Sequence, residues 1–89
     1  MLYLITYDLK RPIQNYTELF NLLRNKGDWW HYLDSTWLIR SNDSINSLAD
    51  DIRNILDPND RFLIFEVTGK YSQGWLSSEA WEWINSHNN

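Results

Sequence analysis

The hydrophobic pattern opens with a weak alternation over Leu2–Leu9, a run of β-forming side chains with no turn residue, and it predicts a buried strand. Pro12, within Lys10–Asn15, breaks that strand. Asn15 and Glu18 then stand three apart, as in a capping box, and Tyr16, Leu19, Phe20, Leu22 and Leu23 recur at helical spacing. The predicted helix runs over Tyr16–Lys26, with Gly27 where a C-terminal cap belongs. Trp29–Ser41 is aromatic and β-branched, which suits strands. A turn at Leu33-Asp34-Ser35-Thr36 divides it into arms centred on Trp30–Tyr32 and Trp37–Ile39. Asn42, Asp43 and Ser44 offer N-caps for an amphipathic helix that carries Ile45, Leu48, Ala49, Ile52, Ile55 and Leu56 on one face. Asp57-Pro58-Asn59-Asp60 is a turn, and Phe62–Thr68 is a strand ended by Gly69.

Beyond Gly74 the pattern predicts a short helix over 77–86, with Ser77 as N-cap, Leu76 and Trp81 as a hydrophobic staple, and fraying from His87 onward. Strand, helix, strand, strand, helix, strand is the ferredoxin-like βαββαβ order. The expected fold class is therefore α+β: a four-stranded antiparallel sheet in one domain over residues 1–89, with two helices on one face and a short C-terminal helix. The other face of such a sheet needs a cover. The tryptophans suit that task, through a partner subunit or through the tail.

Composition sharpens this. The chain has 89 residues, too few for a large core, yet it carries six Trp, five Tyr and three Phe. More aromatic surface than one subunit can bury favours self-association into a homodimer. The absence of Cys excludes disulfides and thiolate chemistry. No apolar run suggests a membrane span or a signal peptide, so a cytoplasmic protein is expected. The net charge of −4 argues against broad, non-specific nucleic-acid affinity, which depends on Lys and Arg. It leaves room for a local basic patch or a metal bridging to phosphate.

The stretch ITYDLKRP carries the candidate chemistry. Asp8 closes the first strand, where a rigid backbone can present one carboxylate to a hard divalent cation such as magnesium or manganese. A twofold axis nearby would supply a second copy. The competing reading makes Asp8 an acceptor for the backbone of the following turn. Lys10 and Arg11 are candidate phosphate ligands beside Asp8, or simply solvated loop residues. In Trp29-Trp30-His31-Tyr32, neighbours on a strand point oppositely. One set enters the core, and the other packs on a partner or stacks on a base, with Trp30 the candidate for substrate binding. His31 lacks ligand companions in sequence, Gly69-Lys70-Tyr71 lacks the spacing of a phosphate cradle, and Ser77 and Ser78 lack a histidine partner.

With its aromatic-Asp pair closing the first strand of so short a chain, LYLITYDL resembles the small CRISPR adaptation endonuclease family. That resemblance implies a ferredoxin-like homodimer in which Asp8 of each subunit takes part in binding a divalent metal at the dimer axis. Through TYDL, TWLIR, VTG and LSSEAWEWI, nearly the whole chain also resembles a group of short bacterial and phage proteins, a likeness that implies no activity. Three functions follow. One is a homodimeric, metal-dependent endonuclease or phosphodiesterase acting on nucleic acid or a nucleotide, with Asp8 as metal ligand and catalytic residue. Another is a non-catalytic module whose acidic, Trp-rich surface binds a protein. The third is a binder of a small nucleotide between subunits.

Overall fold

A computed structural model describes residues 1–87. Strand β1 (Leu2–Asp8) leads through a 3₁₀ turn (Ile13–Tyr16) into helix α1 (Thr17–Arg24). Strands β2 (Asp28–Leu33) and β3 (Thr36–Arg40) form a hairpin, followed by α2 (Ile45–Ile55), β4 (Arg61–Val67) and α3 (Ser78–His87). The sheet order is β2-β3-β1-β4 with every pairing antiparallel. This is the expected ferredoxin-like arrangement, with β4 at one edge.

The two faces of the sheet are covered differently. Tyr3 and Ile5 of β1 and Trp37 and Ile39 of β3 pack against Tyr16, Leu19 and Leu23 near α1 and Leu48 and Ile52 of α2. This layer is the main core. Ser44 caps α2 through its Oγ, which accepts from the Ser47 N–H at 3.1 Å. On the opposite face, α3 buries Ala80 and Ile84 against Trp30, with Leu38, Leu76, Trp81 and Trp83 around them. Ser77 Oγ accepts from the Ala80 N–H at 3.2 Å, as expected of the α3 cap. The cover stops at β2 and β3. The other half of the face, on β1 and β4, leaves Leu63 and Phe65 half exposed.

Several local expectations are corrected. The Asn15–Glu18 capping box does not form, because Pro12 opens the 3₁₀ turn and the Asn15 N–H is spent on the Pro12 carbonyl at 2.9 Å. α1 ends at Arg24 rather than Lys26, in a tightened turn where the Asn25 and Lys26 N–H groups reach back to Leu22 and Leu23. Gly27 is no helix cap. Its φ is +147° and a Cβ there would meet the Arg40 carbonyl oxygen at 1.9 Å, so glycine is required where the chain enters β2 against the end of β3. His87 belongs to α3 instead of fraying; its ring stacks on Trp83 at 3.9 Å and its Nε2 lies 3.1 Å from Asp28 Oδ2.

Candidate functional site

Alternation along β1 decides which way Asp8 faces. Tyr3 and Ile5 point into the helix layer, so Leu4, Thr6 and Asp8 belong to the opposite face. The register pairs Leu4 with Phe65, Thr6 with Leu63 and Asp8 with Arg61. Asp8 therefore stands at the rim of the half-uncovered apolar patch. A shallow cleft of about 270 Å³ joins Asp8 and Arg61 to Thr6 and Leu63. The Asp8 side chain is 68% exposed and pairs with Lys10 Nζ at 2.8 Å. So open a pair contributes little to stability. The first three sequence candidates thus lie close together, Asp8 at the end of β1 and Lys10 and Arg11 in the loop that follows it.

The fourth does not. Trp30 is only 2% exposed, and its Nε1–H donates to the Ala80 carbonyl at 3.1 Å under α3. No base can stack on it, because the tail helix takes the place the sequence left open for a ligand or partner. The outward aromatics of β2 are Trp29 and Tyr32. His31 is accounted for by packing, its ring stacked on Trp37 at 4.0 Å. Lys70 lies over the Tyr71 ring at 5.4 Å, after a turn in which Gly69 has φ +68°.

Asp60 holds the Lys10–Arg11 loop. Its carboxylate is buried, and Oδ1 accepts from the Tyr16 hydroxyl at 2.7 Å and the Lys10 backbone N–H at 2.9 Å. Oδ2 accepts from the Asp57 N–H at 3.0 Å. The Arg11 N–H in turn donates to the Tyr16 hydroxyl oxygen at 3.0 Å, and the Arg11 guanidinium lies 5.1 Å from the Tyr16 ring. Burial alone would raise the Asp60 pKa. The Tyr16 hydroxyl, the two backbone donors and the nearby Arg11 charge outweigh it, and the pKa falls below the ordinary 3.8. The sequence suggested only a turn at Asp60, because its partners lie 44 and 50 residues away.

The sign of the pH effect follows. A carboxylate with a depressed folded pKa stabilises the fold above its unfolded pKa, and that contribution is lost as pH falls through the folded value. Asp60→Asn is expected to place an amide N–H₂ against the Asp57 or Lys10 donor and to cost roughly 1–3 kcal/mol near neutrality. Urea midpoints from pH 7 to pH 3 should show the gap between wild type and variant narrowing below about pH 4. A gap independent of pH would assign Asp60 a merely steric part.

Among the described residues, no group of three or more His, Asp or Glu side chains converges on a common point. At this site Asp8 is already engaged by Lys10, and Asp34 lines a shallow cleft beside it together with Arg11. Magnesium can be held by one or two carboxylates plus waters, so Asp8 alone makes a thin donor set, which a second Asp8 would strengthen. No helix among the described residues is long and apolar enough to cross a membrane. Residues 1–74 match the family model described as CRISPR associated protein Cas2. A comparison with curated proteins finds no match.

Proposed function

The chain belongs to the CRISPR-associated Cas2 family, and on that premise we propose that it acts as a homodimer that binds nucleic acid and cleaves its phosphodiester backbone with a divalent metal. The observation that carries this reading is the position of Asp8 on the same sheet face as exposed Leu63 and Phe65, at the rim of that patch. Two copies meeting through the patch about a twofold axis near the ends of β1 bring their Asp8 carboxylates toward each other. The exposed side chains of Tyr71 and Trp75, between β4 and α3, add apolar surface to the same association.

Each residue then has a part. The paired Asp8 carboxylates would hold magnesium or manganese, which would supply an activated water and a counter-charge for the phosphate. Lys10 leaves its ion pair with Asp8 to meet a phosphate oxygen, and Arg11 offers a second cation. Tyr16 and Asp60 keep the loop that bears both bases in place, and so act as positioning residues. The small number of cations suits a local grip on a few phosphates rather than long, non-specific tracking.

Incubating the protein with labelled single-stranded and duplex oligonucleotides and manganese tests this reading. Cleavage is expected with metal, none with chelator, and a loss of at least about a hundredfold in Asp8→Asn, since an electrostatic stabiliser of this kind is typically worth that much. Cleavage that survives Asp8→Asn would refute the assignment.

A further inference from the structure

A second cleft, of about 450 Å³, opens at the other end of the sheet between Arg24, Gly27, Asp28, Trp29, Trp83 and His87. Asp28 pairs with Arg40 and Arg40 with Leu2, so this cleft lies beside the start of β1, while Asp8 lies at its end. At about 3.3 Å per residue the two are roughly 20 Å apart. Trp83 and His87, two of its six lining residues, come from α3, which lies outside the residues that match the family.

We propose that this cleft binds a nucleotide, with the base against the indoles of Trp29 and Trp83 and the phosphate on Arg24. Trp29 stands on a paired strand yet keeps 42% of its surface exposed. Arg24 forms no ion pair among the described residues, and its guanidinium lies 5.7 Å from the Trp29 ring. A cation beside an open aromatic ring fits a ligand with both a flat ring and an anionic group. The opposite wall is set before any ligand arrives. His87 stacks on Trp83 with the planes 7° apart, its Nδ1 lies 2.8 Å from the Trp83 carbonyl oxygen, and its Nε2 faces Asp28. A preformed wall lowers the ordering cost of binding. The volume lies within the range of small-molecule sites. Asp28 gives the cleft a negative group as well, so a phosphate without a base is held poorly there. The same chemistry is offered by a free nucleotide and by the end of a single strand.

The test follows the indole N–H signals of the whole protein by NMR during titration with adenosine monophosphate, a trinucleotide, adenosine and ribose 5-phosphate. Adenosine monophosphate or the trinucleotide is expected to move the Trp29 and Trp83 signals while those of buried Trp30 and Trp37 stay. A response to the mononucleotide identifies a free nucleotide as sufficient; a response to the trinucleotide alone identifies a strand end. Trp29→Ala should weaken binding by roughly fivefold or more. Arg24→Ala should weaken the phosphate-bearing probes and spare adenosine. Asp8→Asn should keep the full response, which separates this site from the one at the end of β1. The proposal is overturned if no probe moves Trp29 and Trp83, if ribose 5-phosphate moves them as strongly as the nucleotide, or if folded Trp29→Ala binds unchanged.

Discussion

Replacing Leu63 and Phe65 together by Glu is expected to leave a folded chain that no longer self-associates. Both side chains point away from the helix layer and are about half exposed, at 50% and 56%. In a monomer, two carboxylates there remain hydrated and disturb no core contact. In a dimer closed over this face they would have to be desolvated next to their symmetry copies, and unpaired buried charge costs several kcal/mol per ion. Each 1.4 kcal/mol is tenfold in affinity, so the loss should exceed about a hundredfold. Sedimentation at low micromolar concentration should give twice the chain mass for the wild type and a single chain for the variant, with unchanged circular dichroism. A variant that still sediments as a dimer would move the interface elsewhere. A monomeric wild type would remove the paired-carboxylate site altogether.

Trp30→Ala should be the most destabilising change on the α3 side of the sheet, costing roughly 3–5 kcal/mol, the usual range for truncating a buried aromatic. Its ring is enclosed by Ala80 and Ile84, and its N–H satisfies the Ala80 carbonyl. Loss of both also frees α3 from the sheet. Trp81, the staple expected from the sequence, is only partly buried at the margin of the same cluster. Trp81→Ala should therefore cost less than half as much, on the order of 1–2 kcal/mol at the usual rate for buried apolar area. Urea denaturation of the two variants decides the order. Equal midpoints would mean that α3 is held by its rim rather than by Trp30.

That reversal marks where the sequence stopped being legible. Periodicity and turn chemistry located all four strands and the three α-helices, because each element's apolar spacing is set by its own backbone geometry. The Asn15 capping box failed because Pro12 had already claimed the Asn15 N–H for a 3₁₀ turn. Trp30 was misread for a different reason. Alternation separates Trp29 and His31 from Trp30 and Tyr32, but which of these rings is covered depends on where α3 docks, and no local pattern encodes that. The candidate site divides in the same way. Asp8, Lys10 and Arg11 are neighbours in sequence and could be singled out there. Asp60, Tyr16 and the facing Arg61 join them only through the β1–β4 register and the fold of the loop.

Calorimetric titration of manganese into the metal-free protein tests the paired Asp8 site most directly. A shared site should take up one ion for every two chains, with the heat abolished in Asp8→Asn although that variant should still form dimers, since the substitution would remove two carboxylates that, if they face each other, repel without metal. One ion per chain, or no heat in the wild type, would contradict a shared site and leave Asp8 as the polar end of a strand, paired with Lys10.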